Sequence, residues 1–328
     1  MFLERGDVSD LARSVFGASR RVGGVERIRG GSKKGVYRLV FDDGFAAILY
    51  LWSDDENYWP AAVEDEGPFS HASGLRLFSA AHGLLEEVGV RVPRLYVADD
   101  SQSRFPADLA LVEDVRGGTL ERRLDDDPQG GTAILGKLAR SLERMRQRTS
   151  PRIGKIAEVA DGSVAQPDSC VAAVLDRALR DLDEAAARVG RIGEARAECV
   201  AVLEELAAAI EPRSSHGLIH GELGPDHVLV DDQDEPVLVD IEGTMFFDVE
   251  WEHVFLRIRF HEHYAHLHVD GLHERRMELY RLAQHLSLVA GPLRLLEGDF
   301  PDRDFMEGLV RHHTAATLAL VPAERPRP

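Results

Sequence analysis

Residues 220–248 read HGELGPDHVLVDDQDEPVLVDIEGTMFFD, and they are the most informative stretch of the chain. Glu222 follows a short apolar run, and His227 comes five residues later. A second apolar run ends at Asp240, and the acidic turn DDQDE between the two runs predicts a hairpin. We expect the open end of this hairpin to bring Glu222, His227 and Asp240 together.

This grouping of side chains suits phosphoryl transfer. One carboxylate, Glu222, can orient an attacking hydroxyl and accept its proton. A second carboxylate, Asp240, can hold Mg²⁺ on the phosphates of a nucleotide with the help of a neighbouring side chain, His227. The stretch therefore indicates a nucleotide-dependent kinase reaction.

The same stretch resembles the catalytic loop of aminoglycoside phosphotransferases and related small-molecule kinases. In that family the loop is usually H-G-D-x-x-x-x-N, and a metal-binding I-D-F-E-G follows. Here the loop reads H-G-E-L-G-P-D-H, V-D-I-E-G follows, and Asp248 fits an aspartate that the family carries shortly afterwards. The resemblance implies an α+β, protein-kinase-like, two-lobed fold. It places a small antiparallel-sheet lobe in residues 1–115, a larger helical lobe in residues 116–320 and a disordered tail in residues 321–328.

Patterns elsewhere in the chain agree with this division. The turn Asp42-Asp43-Gly44 between two apolar runs predicts a hairpin, with a helix at 75–89 and two further strands behind it. Segment 150–170 is polar and reads as an insertion or a mobile loop. Helical periodicity predicts further helices at 133–148, 171–189, 195–210, 249–268, 273–290 and 304–320.

The resemblance also places a nucleotide, ATP or GTP, in the first lobe. Glu113, Asp114 and Val115 correspond to the hinge whose backbone holds the base. The turn GGSKKG at residues 30–35 would cover the phosphates through Gly31, Ser32, Lys33, Lys34 and Gly35. A solvated basic hairpin tip is the alternative interpretation of this turn.

Two residues of the loop depart from the family pattern. Glu222 stands in place of the catalytic aspartate and is one methylene longer. His227 stands in place of a metal-binding asparagine, and Mg²⁺ prefers oxygen ligands. Either the metal rests on Asp240 with water and phosphate, or the site favours a softer ion such as Mn²⁺, or it is impaired.

The first lobe departs further from the family. The phosphate-pairing lysine of the third strand would fall at Tyr50, which the resemblance thus places among the nucleotide-binding residues, and its glutamate partner would fall near His71. Either Lys33 and Lys34 replace the lost ammonium from the glycine-rich turn, or the phosphates are not held in the usual way.

Composition restricts the partners. The formal charge of −18 argues against nucleic acid and is compatible with a small, cationic acceptor, although acid also simply keeps proteins soluble. In some family members an acidic helix start faces the acceptor, which makes Glu250 and Glu252 candidates. No signal peptide and no apolar run of membrane-spanning length is evident, so we expect a cytoplasmic protein that needs no membrane. Oligomeric state cannot be deduced from the sequence.

Two functions remain open from the sequence. The first is an ATP- or GTP-dependent phosphotransferase that acts on a hydroxyl of a small molecule. The second is a catalytically impaired kinase-fold protein that binds a nucleotide or another ligand in a regulatory or biosynthetic accessory role. The replacements at Tyr50, His71, Glu222 and His227 favour the second function, and the retained Asp240 favours the first.

Overall fold

The computed structural model describes residues 3–28, 31–60, 67–163 and 166–321. Its strands are β1 (Val22–Arg27), β2 (Gly35–Phe41), β3 (Ala46–Trp52), β4 (Leu95–Asp99), β5 (Asp108–Glu113), β6 (Thr149–Ser150), β7 (Gly154–Lys155), β8 (His216–Ile219), β9 (Val228–Val230), β10 (Pro236–Leu238) and β11 (Met245–Phe247). Its helices are α1 (Arg5–Phe16), α2 (Leu75–Glu87), α3 (Leu120–Asp126), α4 (Pro128–Gln147), α5 (Ile156–Asp161), α6 (Cys170–Arg188), α7 (Gly190–Glu194), α8 (Arg196–Ala208), α9 (Val249–Phe260), α10 (Glu274–Glu297) and α11 (Arg303–Leu320). Short 3₁₀ turns lie at Asp54–Glu56, Pro225–His227, Ile241–Gly243 and His261–His266.

The N-terminal strands form one antiparallel sheet in the order β1-β2-β3-β5-β4. The predicted hairpin is confirmed, since β2 pairs with β3 and Gly44 turns the chain at a φ of +80°. Strand β3 lies between β2 and β5 and is buried along almost its whole length, which explains its continuous apolar sequence. Leu39, Leu49 and Leu111 of the sheet pack in one core with Leu11 of α1.

The predicted α+β fold, with an antiparallel-sheet N-terminal region and a helical C-terminal part, is confirmed. The chain forms two compact units. The first consists of residues 1–59, 72–144 and 225–243, and the second of residues 60–71, 145–224 and 244–328. Compared with the predicted lobe of residues 1–115, the first unit lacks residues 60–71 and also contains residues 116–144 and 225–243. Of the predicted tail, residues 322–328 lie outside the described ranges.

The hairpin of β9 and β10 is flanked by His227 and Asp240, the two candidate metal ligands, which lie in the first unit. The backbone N–H of Val230 donates to the Gly118 carbonyl at 2.9 Å, which fixes the hairpin to the turn before α3. A Cβ atom at Gly117 would lie 2.2 Å from the Val230 carbonyl oxygen, so this close approach requires glycine. His227 precedes β9 and Asp240 follows β10, and the hairpin therefore brings these two residues to one end.

The second unit is built around helices. Strands β6, β8, β11 and β7 form a small antiparallel sheet, in that order. Leu182 of α6, Leu203 of α8, Val254 of α9 and Leu286 of α10 belong to one buried apolar cluster. Apolar residues at helical spacing thus face a shared core, as the periodicity predicted.

Two predictions of local structure need correction. The helix predicted at 249–268 ends at Phe260, because His261 takes a φ of +48° and a 3₁₀ turn follows. The polar segment 150–170 is not simply a loop, since it contains β7 and the short helix α5. Across the described ranges, no helix combines the length and the apolar character that crossing a membrane would require.

Candidate active site

Asp240 lies in the first unit, two residues after β10, with a φ of +58°. Its side chain is 47% exposed, and one carboxylate oxygen accepts a hydrogen bond from the Lys34 ammonium at 3.0 Å. The charge of Lys34 is the main reason that the pKa of Asp240 lies well below its usual range. Asp240 is therefore an ionised carboxylate that solvent can reach.

His227 lies beside the second carboxylate oxygen of Asp240. Its Nε2 atom is 3.8 Å from Oδ2 of Asp240 and 3.8 Å from Oδ2 of Asp226. One imidazole nitrogen and one carboxylate oxygen can share a divalent ion whose other positions are filled by water and phosphate. The mixed nitrogen and oxygen donors suit Mn²⁺ better than Mg²⁺. The residues present thus fit a divalent ion, which Asp240 and His227 would hold.

Lys34 is not the flexible ammonium that the glycine-rich turn predicted. Its side chain is buried and forms ion pairs with Asp240 and with Glu242. Burial alone would lower the pKa of Lys34, but the charges of Glu242 and Asp240 raise it above its usual value. The ammonium also lies 5.0 Å from the centre of the Tyr50 ring. It is therefore a fixed cation within the first unit.

The rest of the glycine-rich turn is held by its neighbours. The Ser32 hydroxyl accepts a hydrogen bond from the Trp59 indole at 3.0 Å, and the Lys33 ammonium lies 5.7 Å from the same ring system. A Cβ atom at Gly35 would lie 2.8 Å from the buried Glu56 side chain. Gly31 is the first residue of the turn that is described, because Gly30 lies outside the described ranges. Phosphate contact by Gly31, Ser32, Lys33 and Gly35 stays a prediction.

Tyr50 is a buried aromatic residue of β3 and not an exposed ligand-binding side chain. Its ring packs against Trp52 of the same strand and Phe78 of α2, with centroids 6.1 and 5.7 Å apart. The expected glutamate position near His71 precedes α2, which starts at Leu75. The α2 residue that faces Tyr50 is thus Phe78.

The predicted hinge lies at the end of β5. Arg91 binds both carboxylate oxygens of Glu113 at 2.7 Å, and Arg38 binds the carboxylate of Asp114. Val115 is buried. The side chains of the hinge are anchored to the first unit, and contact of its backbone with a nucleotide base stays a prediction.

Glu222 lies in the second unit, on the loop that follows β8, and its side chain is exposed. Gly221 turns the chain with a φ of +92°, and its N–H donates to the Glu252 carboxylate at 2.7 Å. His220 and Leu223 on either side of this turn are buried. The hydrogen bond from Gly221 to Glu252 thus anchors the loop to α9, while the Glu222 side chain stays exposed. A group that accepts a proton from a ligand requires such exposure.

The two acidic residues expected to bind the acceptor are buried instead. Glu250 pairs with both terminal nitrogens of Arg213 at 2.7 Å and accepts from the His273 backbone N–H. Burial raises the pKa of Glu252 to about 7, against the effect of its hydrogen bond from Gly221. Both carboxylates serve internal contacts at the start of α9, which contradicts their expected role in acceptor binding.

Asp248 also has an internal role. Its carboxylate accepts hydrogen bonds from the Tyr280 hydroxyl at 2.6 Å and from Arg276. Cys170 and His216 lie close enough to Asp248 to resemble a metal site. However, Arg276 already neutralises the carboxylate, and burial raises the pKa of the Cys170 thiol. Asp248 thus accepts internal hydrogen bonds within the second unit.

Sequence reasoning missed Glu242 and Trp52. Glu242 is buried, and it accepts from the Trp52 indole at 3.2 Å as well as from Lys34. Glu242 was visible as the glutamate of V-D-I-E-G, two residues after Asp240. The local motif gave no sign of its partner, because Lys34 lies 208 residues away in the sequence.

Comparisons with known proteins agree with this arrangement. A family model described as "Phosphotransferase enzyme family" matches residues 25–293. A search of curated protein sequences finds no match.

Several solved structures share the fold. Spectinomycin phosphotransferase APH(9)-Ia, solved with ADP and spectinomycin, is 12% identical with a TM-score of 0.65, and the match covers 97% of this chain and 98% of that one. Choline kinase LicA from Streptococcus pneumoniae is 13% identical with a TM-score of 0.64, over 95% and 98%. APH(2")-IIia in its GDP and kanamycin complex is 14% identical with a TM-score of 0.64, over 94% and 98%.

Proposed function

Because the chain belongs to the phosphotransferase enzyme family, and so transfers a phosphoryl group to a hydroxyl, we propose that its donor is ATP or GTP and its acceptor a small, positively charged molecule. The observation that carries the proposal is the half-exposed Asp240 carboxylate beside the buried Lys34 ammonium. An ionised carboxylate and a fixed cation at the end of one hairpin can bind a divalent ion and a phosphate.

Asp240, assisted by His227, would hold the divalent ion. The ion, once bound, would neutralise charge on the phosphate oxygens of the nucleotide. Mn²⁺ should serve at least as well as Mg²⁺, because one of the two protein donors is an imidazole nitrogen. The Lys34 ammonium would add a positive charge for the phosphate, and this charge is present whether or not the divalent ion is bound.

Glu222 would act as the base. The acceptor hydroxyl oxygen forms a bond to the terminal phosphorus, and the bond from that phosphorus to the bridging oxygen breaks. The nucleoside diphosphate leaves with the electron pair, and the hydroxyl proton passes to Glu222. The exposed position of Glu222, on a loop anchored through Gly221, supports this role.

A cationic acceptor is supported by the net charge of −18. Structural neighbours were solved with spectinomycin and with kanamycin, and another is named a choline kinase. Hydroxyl groups on an amine-bearing molecule would give this chain both the nucleophile and the charge complementarity. Glu250 and Glu252 do not contribute, because both are buried.

Thermal unfolding with and without nucleotide tests the proposal. We expect Mg·ATP, Mg·GTP or Mn·ATP to stabilise the protein by roughly 2.7 kcal/mol at 100 times the dissociation constant. Asp240→Ala should abolish this metal-dependent shift, since it removes the carboxylate that would hold the ion. The nucleotide that gives the largest shift would then be used to screen amine-bearing alcohols for phosphorylation.

The alternative, a binding protein without turnover, gives different results in the same measurements. It would show a nucleotide shift but no phosphorylated product with any acceptor. Absence of a shift with every nucleotide would contradict the proposed donor.

A further inference from the structure

The third strand of the sheet carries no cation for nucleotide phosphates. The resemblance places a lysine at Tyr50, whose ring packs against Trp52 and Phe78. Phe78 lies on α2, whereas His71, near which a carboxylate partner was expected, precedes this helix. An aromatic cluster therefore surrounds the position of β3 at which the resemblance expects a lysine.

Lys34 places an ammonium beside this same cluster. Strand β2 starts at Gly35, which pairs with Leu51, and Val36 pairs with Tyr50. Lys34 thus enters from the neighbouring strand, one residue before the ladder, and its ammonium lies 5.0 Å from the centre of the Tyr50 ring. Because the side chain is buried, the ammonium is not a solvated hairpin tip.

Glu242 is the fixed partner of this ammonium. Its side chain is 3% exposed, whereas that of Asp240 is 47% exposed. The Trp52 indole donates to the Glu242 oxygen that also accepts from Lys34. Lys34 is therefore anchored on its buried side by Glu242 and reaches the solvent-accessible Asp240 on the other.

We propose that Lys34 is the phosphate-binding lysine of this enzyme and that Glu242 is the residue that positions it. The inference rests on the proposed function, since it concerns the donor nucleotide of that reaction. Both members of an ion pair have changed place: the cation is supplied by the glycine-rich turn, and the carboxylate by the turn after Asp240. The pair thus serves the phosphates without any charged residue from β3 or α2.

Equilibrium binding of ATP and of adenosine, measured with Mn²⁺ or Mg²⁺ present, tests the role of Lys34. Lys34→Met should weaken ATP binding by ~10- to 100-fold, since it removes a charge-assisted hydrogen bond to phosphate. Adenosine binding should not change, because adenosine carries no phosphate. Lys137→Met, which removes a half-buried lysine that pairs with Glu235 at the turn between β9 and β10, is the matched control and should leave ATP binding unchanged.

A relocation variant separates phosphate binding from a structural role. Tyr50→Lys in the Lys34→Met background returns an ammonium to β3 next to Glu242, and we expect it to recover part of the lost ATP affinity. Glu242→Gln should weaken ATP binding less than Lys34→Met does, because the lysine remains but is no longer fixed. If Lys34→Met does not fold, the double variant Lys34→Met/Glu242→Gln is measured in its place. The double variant removes both charges of the buried pair, so no unpaired charge stays buried.

The outcomes distinguish this inference from the proposed function. If the wild type binds ATP, and Lys34→Met and the double variant bind it with the same affinity, the inference is overturned and the proposed function is left intact. Equal losses of ATP and adenosine binding would also overturn it, since a general distortion of the fold explains them. A wild-type protein that binds no nucleotide would instead contradict the proposed function.

Discussion

Asp240 and Asp248 lie eight residues apart, and both follow a short apolar strand. Each carboxylate has a buried cation as partner, Lys34 for Asp240 and Arg276 for Asp248. They differ in exposure: the Asp240 side chain is 47% exposed and that of Asp248 is 1% exposed. The first is accessible to a ligand and the second is not. Exposure, more than residue type or type of partner, thus separates an accessible aspartate from a structural one.

Replacing the buried carboxylate should have the largest effect on stability. Asp248→Asn leaves Arg276 buried without a counter-charge, and we expect a loss of about 3–5 kcal/mol in the free energy of unfolding. Urea unfolding followed by circular dichroism measures this loss.

Asp240→Asn is the matched control for the same comparison. Lys34 keeps Glu242 as a partner, and Asp240 is half exposed, so we expect a loss of less than about 1 kcal/mol in stability. Nucleotide binding should be weakened strongly in this variant. Equal losses of stability in the two variants would show that exposure does not separate their roles.

Glu222 combines the exposure of Asp240 with the location of Asp248 in the second unit. Glu222→Gln keeps the size of the side chain but cannot accept the proton, so we expect turnover to fall by about 100-fold or more. Nucleotide binding and thermal stability should stay near wild type, because the side chain is exposed and bears no buried charge.

Steady-state kinetics on an acceptor found in the screen measure this effect. Glu278→Gln, an exposed glutamate on α10, is the matched control and should not change turnover. A Glu222→Gln enzyme with normal turnover would exclude Glu222 as the base and leave the metal ligands unaffected.

The α+β fold and the proximity of His227 and Asp240 could be predicted because they depend on local patterns, whereas the expected approach of Glu222 to these two residues stays a prediction. The turn Asp42-Asp43-Gly44 and the runs that flank it determine a hairpin without reference to distant residues. The Lys34–Glu242 pair could not be predicted, since its members are 208 residues apart and only tertiary packing joins them. The burial of Glu250 could not be predicted either, because acidic residues in the first turn of a helix are commonly exposed. This burial depends on the ion pair of Glu250 with Arg213.

Glu252 provides a smaller test of the structural carboxylates. Its pKa of about 7 lies above that of a carboxyl group in an unfolded chain, because burial penalises the charged form. Between these two values the folded state binds the proton and the unfolded state does not. The contribution of Glu252 to stability is therefore fully present below about pH 4.5 and is lost as the pH rises through about 7.

Comparison of wild type with Glu252→Gln across pH isolates this contribution. From pH 5 to pH 8 the free energy of unfolding of wild type should fall by about 2–3 kcal/mol relative to the variant, whose amide does not titrate. The adjacent His253, whose pKa burial lowers to about 4, is present in both proteins, so its own effect on the pH dependence cancels in this difference. Glu262→Gln, at an exposed position, should run parallel to wild type. A constant difference between wild type and Glu252→Gln would mean that Glu252 stays ionised beneath the loop, and its contact with Gly221 would then be a charge-assisted anchor for Glu222.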